Sequence, residues 1–424
     1  MAHLLFADAN ESALRTMMRA VELGHELTFV RGLNWQLYVV TEQVQALFDR
    51  IDVVEMELTS DTDALEAVIA RIHAAKPVDA VIAQIEPTLE AIAVVCDRLG
   101  LRFTSAAGVC NARNKVRTRE LLADAGLATV GHAHALDVGG ALAAAARIGY
   151  PVVVKPVSGL DSMMVSTVAD AAQMPAAARE VLDAHRVTPE QMREQFTRGI
   201  LVEQYLVGRL VSAELAIVDG VSYRFMISGR SRGAGNDCVE MGAALPADLD
   251  PAQRDECFEY AEQVCRALGL DFGVFHLEIM LTDRGPVLVE ANPRVMGGIM
   301  TTMYGRVTGV DFADHLIDVY LGRPPSRGLP EATATITARK IMPVSSGTLP
   351  GEFDLGWVSE PEWQILELEN YHLRPGREVR AKQVLARYVV LADSWTEAMT
   401  RADGLVDRFE KCIGVPLVHS DPAL

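Results

Sequence analysis

Phe275–Gly298 reads FHLEIMLTDRGPVLVEANPRVMGG, and this stretch decides the fold. Phe275, Leu277, Ile279 and Leu281 alternate with His276, Glu278 and Met280, the period of two of a strand with one apolar face. Val287, Val289 and Ala291 alternate in the same way with Leu288, Glu290 and Asn292. Asp283-Arg284-Gly285 between the runs reads as a three-residue hairpin loop, with glycine where a positive φ is wanted. Centring the hairpin on Arg284 sets Glu278 opposite Glu290 and His276 opposite Asn292.

Carboxylates facing each other across a ladder lie roughly 5 Å apart and repel. A sequence that specifies them needs positive charge between them. Glu278, Glu290 and the Asn292 amide offer only oxygen, which suits a hard cation, commonly Mg²⁺ shared with phosphates. Arg294 projects from the same side and is able to grip an anion with two donors. Gly297 and Gly298 let backbone approach a ligand. The competing reading is an edge hairpin with a wet polar face, since a one-residue slip turns every side chain over.

With 424 residues the chain has room for two or three domains, and a hydrophobic half makes it globular. Lys+Arg number 39 against 57 Asp+Glu, a net charge of −18 that argues against nucleic-acid or anionic-membrane partners. No long uncharged apolar run predicts a membrane span. Asp8 interrupts what would be the apolar core of a signal peptide, so a cytoplasmic location is expected. Six scattered cysteines without a C-x-x-C read as reduced thiols.

The run HLEIML…GPVLVEANPRVMGG resembles the metal- and phosphate-binding hairpin of the ATP-grasp superfamily. That superfamily includes D-alanine–D-alanine ligase, biotin carboxylase, carbamoyl-phosphate synthetase and the bacterial L-amino acid ligases. Its pattern is an acid on one strand, then E-x-N-x-R and glycines on the next, and Glu278, Glu290, Asn292 and Arg294 match position by position. The resemblance implies a multidomain α/β and α+β chain with the ATP-grasp fold. Residues 1–108 would be a Rossmann-like pre-ATP-grasp domain and 109–325 the ATP-grasp domain. Within the latter, 109–205 would be the first lobe with its lid and 206–325 the second lobe with the metal hairpin. A C-terminal α+β lobe would fill 326–424.

The residues themselves agree with a layered N-terminus. Strands are predicted at His3–Ala7, Glu26–Val30, Val53–Leu58 and Ala80–Ile85, and helices over Ser12–Leu23, Asp63–Ala75 and Leu89–Leu99. The first turn, Asp8-Ala9-Asn10-Glu11, lacks the G-x-G-x-x-G of a dinucleotide site, which disfavours an oxidoreductase. Lys115 sits in N-A-R-N-K and resembles the lysine placed near nucleotide phosphates; Arg113, Arg117 and Arg119 compete for that role, and a solvated helix face is the alternative. Lys155 ends the strand Val152–Val154 before Pro156 and resembles the α/β-phosphate lysine, with Ser158 and Gly159 opening the lid loop Ser158–Met164. That loop has fewer glycines than the family pattern.

Arg179–Arg198 reads as an exposed polar helical excursion, and His132-x-His134 as no metal site. Glu203, Gln204, Tyr205 and Leu206 resemble the adenine hinge, with Glu203 near the ribose, and Glu214 matches the next family glutamate loosely. Outward strand positions are the other reading of Glu203 and Glu214. Gly229–Asp248 reads as a long loop whose Arg230 and Arg232 either clamp an anion or form a solvated turn. Helices are expected over 251–269 and Met303–Gly322, then strands at Thr333–Ile341 and Gln383–Leu391 and a helix over Ser394–Phe409.

The resemblance implies attack of a carboxylate on the ATP γ-phosphate, then displacement of phosphate by an amine, releasing ADP. Two Mg²⁺ (or Mn²⁺) would sit on Glu278, Glu290 and Asn292, and Lys115 and Lys155 would add charge. Arg294 would steady the acylphosphate; His276 would hold the amine or its proton, or be an ordinary strand histidine. Gly297 and Gly298 would border the substrate. The chain looks most like the dipeptide-forming L-amino acid ligases. Other acid–amine ligases of antibiotic or purine-type biosynthesis, a biotin-carboxylase-like enzyme and a non-catalytic nucleotide-binding regulator are the alternatives. Small-molecule substrates and a homodimer are expected.

Overall fold

The computed structural model describes residues 1–159, 163–234, 236–325 and 330–421. The middle of the expected lid loop (160–162), Gly235 in the expected long loop and the first residues of the expected C-terminal lobe (326–329) lie outside the described residues.

The N-terminal layer holds β1 (His3–Ala7), β2 (Glu26–Gly32), β3 (Asp52–Met56) and β4 (Ala80–Ala83). All pairs are parallel, in the order β3-β2-β1-β4. Every residue of β1 is buried, as a central parallel strand covered on both faces must be. The helices are α1 (Glu11–Glu22), α2 (Glu42–Phe48), α3 (Thr62–Ala75) and α4 (Glu86–Leu99). Helix α2 is an addition to the sequence reading. Thr41 caps it and Val44 and Leu47 are its buried residues, too short a stripe to show periodicity.

Next come α5 (Ala106–Arg113) and α6 (Lys115–Asp124), parted at Asn114, which caps α6 through a bond from the Arg117 N–H. They lead to β5 (His132–Ala135), α7 (Val138–Ile148), β6 (Val152–Pro156), β7 (Ser166–Val168), α8 (Met174–Asp183), α9 (Glu190–Arg193) and β8 (Ile200–Gln204). The four strands form an antiparallel sheet, β5-β8-β6-β7. The stretch expected to be exposed, Arg179–Arg198, instead buries Gln191, Met192, Gln195 and Phe196. Gln191 Nε2 donates to Thr59 Oγ1 at 2.6 Å, and Arg198 pairs with Glu90 at 2.8 Å. Gln191 and Arg198 find their partners on the N-terminal layer and Gln195 finds its own in Arg113, pairings that local patterning does not reveal.

The remaining strands build one large antiparallel sheet. They are β9 (Arg209–Val218), β10 (Val221–Gly233), β11 (Asn236–Leu245), β12 (Gly273–Thr282), β13 (Gly285–Asn292) and β14 (Thr335–Ile341). After β15 (Gly347–Thr348), β16 (Ile365–Asn370) and β17 (Glu378–Val379) comes β18 (Ala386–Ala392). The order is β13-β12-β9-β10-β11-β14-β18-β16, with β15 and β17 paired apart. The sheet thus runs unbroken across the expected 325/326 boundary. The expected loop Gly229–Asp248 is mostly the β10–β11 hairpin. Helix α10 (Pro251–Leu268) matches expectation. The single helix expected over Met303–Gly322 is two, α11 (Met300–Thr308) and α12 (Phe312–Tyr320). Gly309 at φ +74° ends the first, and the Asp311 side chain caps the second. Helix α13 (Trp395–Ile413) packs on β14 and β18.

Gly242 lies where β11 runs between β10 and β14. A Cβ there would fall on the Ala338 carbonyl, 2.8 Å from its carbon and 3.3 Å from the Arg339 Cα. Backbone cannot rotate away as a side chain can. Gly242→Ala is therefore expected to cost about 1–3 kcal/mol, read as a lower midpoint in urea unfolding; an unchanged midpoint would show that the two strands part freely.

Candidate active site

The β12–β13 ladder sets Glu278 opposite Glu290 and His276 opposite Asn292, the register read from the sequence. The turn differs. Thr282 pairs with Gly285, so the loop has two residues, Asp283 and Arg284. A bulge then leaves Val289 unpaired between Leu288 and Glu290. The shorter turn and the extra residue cancel, so the register at the acidic pair is the expected one. The bulge also exchanges faces. Leu288 and Ala291 both join the core under β12, whereas simple alternation puts them on opposite sides. The Val289 carbonyl accepts from Arg119 Nη2 at 2.7 Å.

The four cations near Asn114 sort cleanly. Lys115, at the first position of α6, is buried, and its Nζ lies 2.8 Å from Glu290 Oε1. Arg119 is buried, with Nε 2.7 Å from Glu203 Oε1. Arg113 faces elsewhere, donating to the Gly159 carbonyl at 3.2 Å and to Gln195 Oε1 at 2.6 Å. Arg117 is exposed and pairs with Glu120.

Lys155 ends β6 beside β8, and its Nζ lies 2.7 Å from Glu203 Oε2. Glu203 thus holds Arg119 with one oxygen and Lys155 with the other. Burial alone would raise its pKa, but these two cations hold it down at about 2. Its carboxylate is committed to them rather than turned toward a ribose. Glu203 and Gln204 are also paired in the ladder, and the Gln204 N–H donates to the Gly131 carbonyl at 2.8 Å. Tyr205 and Leu206 follow the strand on the cavity wall. Ser158 is fully buried; it donates to the Arg113 carbonyl at 2.8 Å and accepts from Arg198 at 3.1 Å. It positions this corner and does not line the cavity.

Two chambers meet at the hairpin. The first is lined by Lys115, Arg119, Lys155, Gly159 and the segment from Glu203 to Leu206, with Met280 and Leu288 as apolar floor. The second, of about 720 Å³, is lined by His276, Asn292, Arg294, Gly297 and Gly298 and closed by side chains of the N-terminal layer and the C-terminal strands. Glu278, Glu290, Glu240 and Cys238 line both.

Arg230 is a wall residue of the second chamber, not part of a solvated turn. Its Nε donates to Ser212 Oγ at 3.0 Å and its Nη1 to Glu240 at 3.1 Å; its Nη2 lies 3.8 Å from Glu278. Arg232 donates to the Gly208 carbonyl at 2.8 Å and lines the first chamber. His276 is buried, its Nδ1 2.7 Å from Glu214 Oε1 and its Nε2 2.8 Å from Arg230 Nη2. A guanidinium only donates. Nε2 therefore accepts, and the ring proton sits on Nδ1 toward Glu214. Burial pushes the His276 pKa down and Glu214 pulls it up, with the balance upward. Both ring nitrogens are engaged by protein, which makes His276 an orienting residue for Arg230. Arg294 bonds Glu86 at the start of α4, tying the hairpin to the N-terminal layer.

Electrostatics favours the ionised form of two seam carboxylates, Glu290 and Glu240. Burial would raise Glu290, but Lys115 foremost, with Lys155 and Arg113, holds it at about 2. Arg230 and Lys340 likewise outweigh burial and hold Glu240 at about 2. Among the described residues no three His, Cys, Asp or Glu side chains form a ready-made metal cage. Two carboxylates and an amide fit a hard cation that takes its remaining oxygens from a ligand. Arg119 was among the cations flagged in the sequence, whereas Glu240, Lys340 and Glu86 escaped the reading because they carry no motif.

Residues 148–303 match the ATP-grasp domain family and residues 17–102 the ATP-grasp N-terminal domain family. Alanine–anticapsin ligase of Bacillus subtilis is 26% identical over 254 residues, 57% of this chain and 53% of that protein. Dapdiamide A synthase of Enterobacter agglomerans is 29% identical over 214 residues, 48% and 47% of the two chains. The chain thus spans about half the length of these curated relatives. The crystal structure of an L-amino acid ligase from Bacillus licheniformis superposes with a TM-score of 0.77 at 22% identity, covering 96% of this chain and 97% of that one.

Proposed function

We propose that this chain, which belongs to the ATP-grasp superfamily, is an ATP-dependent carboxylate–amine ligase joining L-amino acids into a dipeptide or related amide. The observation that carries the reading is the sharing of Glu278 and Glu290 between two chambers. One chamber offers buried lysines and a strand-end segment suited to a nucleotide. The other offers Arg294 and close backbone at Gly297 and Gly298. A phosphoryl group leaving the first chamber for a substrate in the second must pass the acidic pair.

In this reading a carboxylate oxygen attacks the γ-phosphorus and the bond to ADP breaks. The amine nitrogen then attacks the acyl carbon, phosphate leaves, and the nitrogen gives up a proton. Phosphoryl transfer needs positioning and charge neutralisation above all. Lys115 and Lys155, held by Glu290 and Glu203, are positioned to meet the phosphates. Arg294, anchored on Glu86, faces the acylphosphate. Arg230, oriented by His276, Ser212 and Glu240, faces Glu278. Glu278, Glu290 and Asn292 would hold Mg²⁺ or Mn²⁺, which neutralises the β- and γ-phosphates when bound.

The test is phosphate release from ATP with Mg²⁺ across single and paired amino acids, with mass detection of products. ADP, phosphate and a dipeptide mass that appear only with a pair are the expected result. AMP formation would contradict the acylphosphate route, and phosphate release with one acid alone would move the search to another amine.

A further inference from the structure

We propose that Trp35 is a specificity-determining residue of the second chamber, selecting a substrate with a large apolar side chain. The inference rests on the ligase reading and deepens it. Trp35 lies in the segment between β2 and α2, over the C-terminal ends of the parallel strands, where open α/β layers receive ligands. The segment is pinned just beyond it. Leu37 bridges to Asn10, and Tyr38 is buried against Phe29 and Phe48. Gln36 Nε2 donates to the Tyr38 carbonyl at 2.7 Å. The chain is therefore anchored just beyond Trp35.

Trp35 and Leu37 line the second chamber, as do Val295, Met296, Ile299 and Met300. These side chains give a chamber that also carries many charged groups an apolar share of its lining. Methionines adapt to varied apolar shapes, and a tryptophan supplies a rigid flat face. Charged side chains would lose hydration against this lining without gaining a partner there.

Trp35 also packs on the cluster of Ala184, Met192 and Phe196, against which Met163 packs as well. Phe196 reaches Gly159, whose added Cβ would lie 3.7 Å from its ring. Gly159 and Met163 line the first chamber. One apolar cluster thus lies between Trp35 and the first chamber.

The experiment compares Michaelis constants of wild type, Trp35→Ala and Trp35→Phe for alanine, leucine, phenylalanine, glutamate and lysine in each substrate role. Wild type is expected to favour leucine and phenylalanine in one role. Trp35→Ala should raise KM for those two by about tenfold, with alanine and ATP changed less than about twofold, and Trp35→Phe should restore most of the preference. A uniform rise for every substrate, or an unchanged ranking, would overturn the proposal. Should no amino acid support turnover, the ligase reading fails by itself. Tryptophan fluorescence then decides, with a non-hydrolysable ATP analogue and Mg²⁺ present. A signal from phenylalanine but not glutamate that is absent in Trp35→Phe supports the apolar lining, and no such signal overturns it.

Discussion

Glu290→Gln is expected to lower kcat by about a thousandfold with the protein still folded. The carboxylate does two things at once: it faces Glu278 across the ladder, and it holds the Lys115 ammonium at 2.8 Å. An amide of the same volume keeps the packing but supplies one oxygen without charge. Lys115 is then free to swing, and any cation shared with the phosphates loses half of its acidic pair. The affinity for ATP without metal should move far less than kcat, because Lys155 and the strand-end segment remain. Phosphate release over a Mg²⁺ titration, with equilibrium nucleotide binding alongside, separates the two. A variant that keeps wild-type turnover at every Mg²⁺ concentration would remove Glu290 from the chemistry. Equal loss of binding and turnover would make it a nucleotide-binding group only.

Glu203→Ala should be the most destabilising single change in the first chamber, by about 3–5 kcal/mol. It strands two buried cations, Arg119 and Lys155, which now share one carboxylate at 2.7 Å each. Arg119 keeps its bond to the Val289 carbonyl, but Lys155 loses its ion-pair partner. Glu120→Ala breaks only the exposed pair with Arg117 and should cost less than about 1 kcal/mol. Urea unfolding of the two variants gives the comparison; equal midpoints would mean that water reaches Arg119 and Lys155 freely.

The same carboxylate predicts a pH dependence. Its pKa is about 2 folded, against an ordinary value of 4.5. Folding therefore favours the ionised form. The stabilisation is complete above about pH 4.5 and is lost as pH falls from there toward 2. Glu203→Gln should lack this share, so its stability should fall less steeply than wild type over that window. Parallel curves would mean that other carboxylates carry the acid sensitivity.

Much of this was legible locally. Strand alternation and the E-x-N-x-R spacing set the hairpin, its acidic pair and the Asn292–His276 pairing, because a ladder's register follows from a pattern of two. Lys155 before Pro156 and the layered N-terminus were equally plain, for the same reason: neighbouring residues carry the information. The turn was misread by one residue and the bulge at Val289 passed unseen, since only the ladder's partner shows that a residue is surplus.

What the tertiary structure decided is which charges meet. Glu203 reads as an outward strand residue or a ribose ligand until Arg119, 84 residues away, closes on it. Arg294 reads as free to grip an anion until Glu86, 208 residues away, anchors it. His276 is engaged at both ring nitrogens only because Glu214 stands on the adjoining β9 and Arg230 reaches over from β10, one strand further on. The C-terminal strands join the central sheet through β11 and β14, an edge pairing that no periodicity announces. Backbone conformation and strand faces are set by side chains a few positions apart, so sequence reveals them. Pairing of buried charges is set by which surfaces fold together, and in this protein that is where the chambers are made.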